Sequence, residues 1–316
     1  MRIQSMSPLL GREGLNDVIS LYNTKNPGIW QKIAKVENTT DYFYRVLQEG
    51  DMGPALAMGG NAGGNPTGEA AGIQYDDFQT PYTKDYYPLK RGIGFAISSE
   101  AMESDKYGVI ARKGAKMAKS MNKTLEADVA NFMNLATSSG FVGPDGQPLA
   151  SSSHGLDSGV GSNIVNIAAG SSSSNYLALG PLALEQAIQE LVQQQSHRGD
   201  PMMFMGPYKL YVASALWGLA RRIVDASGVQ GTNTSDPNWA GGYVDEVVMD
   251  PYFTSPTAWA LRSSKDDEHG LTLISRRENR TKEQFDIDKD AWKYTLTRIW
   301  AKAIEDWRGF IYSPGA

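Results

Sequence analysis

Three histidines, His154, His197 and His269, are the only imidazoles in the 316-residue chain, and cysteine is absent. Without cysteine there is no thiol nucleophile, disulfide framework, iron–sulfur ligation or cysteine zinc site. The histidines stand far apart, none in an HExxH or H-x3-5-H pattern, so no histidine metal centre is expected. Ser151, Ser152 and Ser153 run directly into His154. A serine hydrolase needs hydroxyl, imidazole and carboxylate to meet through the fold, usually from a strained nucleophile turn. No GxSxG elbow occurs, and no aspartate stands out as a partner for His154. The serines and His154 are therefore expected to form loop structure. No catalytic, cofactor-binding or metal-binding residue is assigned, no cofactor is expected, and the chain is not expected to be an enzyme.

Two further stretches invite a binding chemistry. Between residues 53 and 72 lie Gly53, Gly59, Gly60, Gly63, Gly64, Gly68 and Gly72. Neither GxGxxG nor GxxxxGK[ST] spacing occurs there, and no helix start follows, so a phosphate cradle is not expected. Seven glycines carry high unfolded-state entropy and nothing to pack, which predicts a loop. Strand-like arms on either side favour a long hairpin that orders against a neighbouring subunit. The second stretch is basic: Arg112, Lys113, Lys116, Lys119 and Lys123 fall within one helical segment. Such a run can contact nucleic acid, but its ordinary role is a solvated helix face.

These residues must be positioned by elements that hydrophobic spacing makes legible. A short helix is predicted over 9–22, broken at Asn26-Pro27-Gly28. Residues 42–47 and 80–98 have strand character. The clearest helix covers 105–136, where apolar side chains recur in steps of three and four; its length would be about 45–50 Å at 1.5 Å per residue. Asp145-Gly146 marks a turn within 140–148, followed by a short apolar run at 163–169 and a serine-rich joint at 170–175. A helix over 181–195 starts at Pro181, with Leu182, Leu184, Ala187, Ile188, Leu191 and Val192 on one face. A strand at 208–213 leads to a helix capped by Ser214 and reaching about 226. Residues 228–242 read as loop, 243–249, 257–261 and 271–275 as strands, and 291–312 as a half-buried strand with Trp292, Tyr294, Leu296 and Trp300 on one parity.

Composition limits the function classes. With 30 basic and 35 acidic residues the net charge is −5, lacking the basic excess of a dedicated nucleic-acid binder. The 33 glycines and 15 prolines exceed what a compact enzyme uses. No signal peptide and no apolar span of 18 residues is read, so synthesis and residence in a cytosol, without membrane contact, are expected.

The order of arm, glycine-tipped hairpin, long helix, α/β segment and returning strand resembles the major capsid proteins of tailed bacteriophages, which share the Hong Kong 97-type fold. DGQPLASSSHG followed by SNIVN resembles that family's "DG…LF…H…N" stretch, with Leu149 and Ala150 where an aromatic is usual. ALEQAIQELVQQQSHRGDPMMFMGPYKLYVASALWGLARRIV resembles its helix–strand–helix run. The resemblance implies an α+β Hong Kong 97-type capsid fold: an N-terminal arm (1–41), an extended β-hairpin loop (42–98), a spine helix with the first part of a peripheral domain (99–175), an axial domain (176–280) and returning peripheral strands (281–316). It implies a shell subunit of the virion, assembled in the host cytoplasm as pentamers and hexamers around DNA held without sequence-specific binding. A separate scaffolding protein, a portal and a decoration protein are its expected partners. An encapsulin-like compartment shell and a soluble α/β hydrolase are the alternatives.

Overall fold

The computed structural model describes residues 12–48, 82–104, 109–155, 164–168, 176–228 and 237–315. The glycine-rich hairpin tip at 53–72 and most of the 228–242 loop lie outside them. Helix α1 (Arg12–Lys25) ends where predicted, with Asn26 donating from backbone and side chain to the Tyr22 carbonyl. A short α2 (Trp30–Ile33) leads into β1 (Lys35–Asn38). Strands β2 (Tyr44–Gln48) and β3 (Tyr82–Tyr86) pair antiparallel as a separate ribbon. The predicted run at 80–98 is thus two strands, because Pro88 precedes β4 (Leu89–Ser98) and cannot donate to a ladder.

After the short α3 (Ser99–Glu103), whose cap is the Ser98 hydroxyl accepting from Ala101 N–H, the long helix α4 runs Val109–Asn134. Helix α5 (Pro181–Val192) starts on Pro181 as expected. It buries Ala183, Leu184, Ala187, Ile188 and Leu191, whereas Leu182, assigned to that face, is 72% exposed. Strand β5 (Tyr208–Ala213) passes through a 3-10 turn at Ser214–Leu216 into α6 (Trp217–Val224). The Ser214 side chain makes no cap bond; the tighter turn replaces it. Strands β6 (Val244–Asp250) and β7 (Trp259–Ser263) follow.

The largest departure is β8, which spans Leu271–Asp286 where only its first five residues read as strand. Its distal half is charged, largely exposed and interrupted by register shifts near Arg277, so the period-two signal disappears although the ladder to β9 (Ala291–Ile304) continues. The predicted parity in β9 holds, with Tyr294, Leu296 and Trp300 buried. The strand stops at Ile304, however, and β10 (Phe310–Ser313) joins a different sheet. One four-stranded sheet has the order β1-β8-β9-β4 and the other β10-β7-β5-β6.

Among the described residues two large apolar cores result, beside a small cluster of Val46, Tyr86, Ile274 and Ala303 under the β2–β3 ribbon. The amphipathic face of α4, through Met117, Met121, Leu125, Val129 and Phe132, packs with α1 and the first sheet, including Leu273, Leu296 and Trp300. Helices α5 and α6 cover the second sheet through Leu184, Ile188, Leu191, Ala220 and Ile223 against Leu210, Val212, Trp259 and Ile311. Each fully buried large side chain contributes roughly 1.5–3 kcal/mol relative to exposure.

Candidate functional site

The Asp145-Gly146 turn, with Gly146 at φ 77°, reverses the chain between Gly143 and Gln147. It delivers the Asp145 carboxylate to His154, Oδ2 to Nδ1 at 2.6 Å, with both side chains buried. This corrects the expectation that His154 has no aspartate partner; the turn dipeptide nine residues upstream was the available signal. The imidazole stacks on Trp307 at 4.0 Å between centroids and 9° between planes. The hydroxyls do not complete a catalytic relay: Ser151 Oγ and Ser153 Oγ bond each other at 3.2 Å, and Ser153 reaches Gln147. The His154 Nε2 atom is buried without a partner among the described residues. Asn166 ties the same loop down, accepting from Ser151 N–H and donating to the carbonyls of Leu149 and Trp307. The arrangement fastens the 140–155 loop to the β9–β10 connection, and its chemistry is that of a buried structural knot.

The other two histidines lie elsewhere. His197 is buried with its ring 6.0 Å from Tyr82. His269 belongs to a second knot that attaches the N-terminal segment. Arg262, 1% exposed, donates to the Ile33 carbonyl at 2.6 Å and the Lys32 carbonyl at 3.2 Å, the last carbonyls of α2. Tyr211 donates to the same Lys32 carbonyl. At the start of α2, Glu126 of α4 accepts from the N–H groups of Ile29 and Trp30 at 2.8 and 3.0 Å. A carboxylate thus holds the donor end of this short helix and a guanidinium the acceptor end, as the orphan groups of helix termini require. These partners are 97 and 229 positions apart in sequence, so no local signal identifies them.

His269 Nδ1 accepts from Leu271 N–H and faces the Arg262 guanidinium at 3.4 Å. Burial, then the positive charges of Arg262, Lys35 and Lys209, push its pKa down to about 2. The ring is therefore neutral, and its approach to Asp266 is a hydrogen bond rather than an ion pair. A folded pKa below the unfolded value means that the unfolded chain takes up the proton first. Stability from this group is complete above about pH 6.5 and declines below it at about 1.4 kcal/mol per pH unit. Burial raises the carboxyls of Glu126, Asp250 and Glu190, which act in the opposite sense. The difference between wild type and His269→Asn, which keeps an acceptor near Nδ1, isolates the histidine. Denaturant unfolding at pH 7.5 and 5.0 should show the wild type losing about 2 kcal/mol more than the variant; equal losses would remove His269 as the source.

At the surface, Tyr42 (71% exposed), Tyr87 (55%) and Phe43 (39%) meet just before β2 and just after β3. Tyr87 packs against Tyr42 edge-on at 6.0 Å and against Phe43 at 6.3 Å, while Arg276 lies over the Tyr42 ring. Solvated aromatic groupings of this kind mark interaction surfaces. The aromatic run in 42–47 was visible in sequence; its meeting with Tyr87 was not. Among the described residues there is no helix long and apolar enough to cross a membrane and no group of three metal-ligating side chains.

The sequence matches the family described as phage capsid protein over residues 81–313. It matches none of the curated proteins. The structure is similar to the mature capsid of bacteriophage PhiM1, with 11% identity, TM-score 0.56 and coverage of 91% of this chain and 86% of that one. A virus-like particle from Pyrococcus furiosus gives 10% identity, TM-score 0.54 and coverage of 95% and 97%. The capsid of an empty GTA particle gives 12% identity, TM-score 0.52 and coverage of 92% and 91%. With the family match running from the start of β3 to the end of β10, and the architecture shared almost end to end with capsid subunits, the chain belongs to the phage capsid protein family and has the Hong Kong 97-type fold.

Proposed function

We propose that this chain is the major capsid protein that self-assembles through pentamers and hexamers into an icosahedral head shell enclosing the phage genome. The observation that carries the reading is the family match over residues 81–313. The exposed Tyr42–Phe43–Tyr87 cluster supports it, because side chains that cost free energy in water gain it at contacts between copies. Many such weak contacts add up through multivalency in a closed shell. The role is structural and not enzymatic. Assembly takes place in the host cytoplasm, and scaffolding, portal and decoration proteins are the further partners.

In this reading residues 1–41 form the arm, 42–98 the extended loop, 99–175 the spine helix and first part of the peripheral domain, 176–280 the axial domain and 281–316 the returning strands. The boundary at 281 falls within β8 (Leu271–Asp286), and β10 pairs with β7 of the second sheet. A compartment shell loaded with protein cargo is the second reading, favoured by the likeness to the Pyrococcus furiosus virus-like particle. Electron microscopy and sedimentation of the expressed chain, with and without a co-expressed scaffold, test the proposal. Pentamers, hexamers or closed shells are expected; a monodisperse monomer under every salt, concentration and scaffold condition would sink it. Shells carrying a cargo enzyme instead of DNA would favour the second reading.

A further inference from the structure

The exposed half of α4 carries a charge pattern that the shell role does not use. Arg112, Lys116, Lys119 and Lys123 are exposed and follow steps of four, three and four, so they form one stripe about 17 Å long on a single helix face. Lys113 is exposed beside it, and Ser120 and Thr124 flank it along a groove of about 400 Å³ shared with Arg91, Gly92 and Ile93 of β4. The stripe ends where the helix becomes enclosed, at the fully buried Ala130.

Like charges at these spacings repel and weaken a helix. Among the described residues carboxylates do not offset the three lysines. The acids of α4 are committed elsewhere, Glu126 to the N–H groups of α2 and Asp128 to Arg91, Trp300 and Lys302. Among the described residues Lys116, Lys119 and Lys123 have no acidic partner. The concentration of cations also runs against the net charge of −5. Among the described residues the large apolar side chains of α4 are buried and the groove edge offers a single partly exposed aliphatic, Ile93, short of the cluster of anchors around which protein interfaces are built. Point cations with neighbouring hydroxyls suit a phosphate backbone, which asks for charge and hydrogen-bond donors and carries no sequence information.

We infer that the Arg112–Lys116–Lys119–Lys123 stripe of α4 is a contact surface for the phosphate backbone of the enclosed double-stranded DNA. The inference rests on the capsid reading for its ligand. Neutralising a phosphate releases counterions, so log affinity falls with log salt by about 0.9 per phosphate engaged.

The test uses the unassembled full-length chain and two unrelated DNA duplexes of equal length, titrated by fluorescence anisotropy across a salt series. Equal affinity for both duplexes and a wild-type slope of about −3 or steeper are expected. The Lys116→Gln/Lys119→Gln/Lys123→Gln variant should have a slope shallower by about 2.7 and weaker binding to both duplexes. Its thermal midpoint should equal or exceed that of the wild type, since the substitutions are exposed and relieve repulsion. Absent wild-type binding, an unchanged slope in the variant, strong preference for one duplex, or displacement of DNA by a lower charge-equivalent of poly-glutamate would overturn the proposal, the last by indicating an acidic protein segment. Electron microscopy of both chains separates the two readings: shells with an unchanged slope defeat this inference alone, whereas a wild type that never assembles defeats the capsid reading.

Discussion

Replacing Gly309 by alanine is expected to abolish the soluble folded chain. Gly309 sits at φ 69°, and a Cβ built there would lie 1.9 Å from the backbone oxygen of Glu268. Across the same contact, a Cβ on Gly270 would lie 1.9 Å from the Asp306 nitrogen. The loop between β7 and β8 and the loop between β9 and β10 thus interlock backbone to backbone. Glu305 N–H donates to the Gly270 carbonyl at 2.8 Å and Ser263 N–H to the Gly309 carbonyl at 2.9 Å. Both contacts are with backbone, so no side chain can rotate away. The loss should exceed about 4 kcal/mol, a large share of the 5–15 kcal/mol that holds a typical domain. Gly146→Ala provides the control: φ there is 77°, but nothing lies within 4 Å, so only about 1 kcal/mol of conformational strain is expected. Soluble yield and thermal unfolding of the two variants check the contrast. A Gly309→Ala protein that melts within a few degrees of wild type would show that these loops yield easily.

The second large effect is expected at Arg262. Arg262→Met keeps the apolar stem but removes the fork that satisfies the carbonyls of Lys32 and Ile33, leaving them buried without their guanidinium partner. The stranded Ile33 carbonyl and the lost charge-assisted bonds, with Tyr211 still donating to Lys32, should cost about 3–5 kcal/mol. Arg262→Lys retains the charge but not the planar fork, and should fall between the two. Denaturant unfolding at pH 7 gives the magnitude, and hydrogen exchange at the amides of residues 30–34 should rise in the methionine variant. A loss below about 1 kcal/mol with unchanged exchange would mean that Glu126 and Tyr211 hold the segment without the guanidinium.

Local spacing made much of this fold legible. Residues 181–192 announce a helix because Pro181 suits the first turn and apolar side chains recur at helical intervals. The three-four stripe likewise announces α4. Spacing erred by one position at Leu182, where packing turned the apolar face toward Ala183. It failed along the distal half of β8, where both faces meet solvent and bulges reset the alternation. It also merged β9 with β10, because aromatic enrichment continues through Trp307 while the chain crosses from one sheet to the other.

The order of amino acids alone specifies that this protein has no cysteine chemistry, that its apolar residues favour one long helix among shorter helices and strands, and that the cations of 112–123 recur at helical spacing. Those are properties of composition and of neighbours a few positions apart. Asp145 meets His154, Arg262 and Glu126 hold the two ends of α2, and Tyr87 joins Tyr42 at the surface only once the chain has folded. The Arg262 and Glu126 pairings join distant parts of the chain, where the deciding quantity is which buried polar group lacks a partner once the cores have packed, and the tyrosines meet because β2 pairs with β3; no local period encodes either.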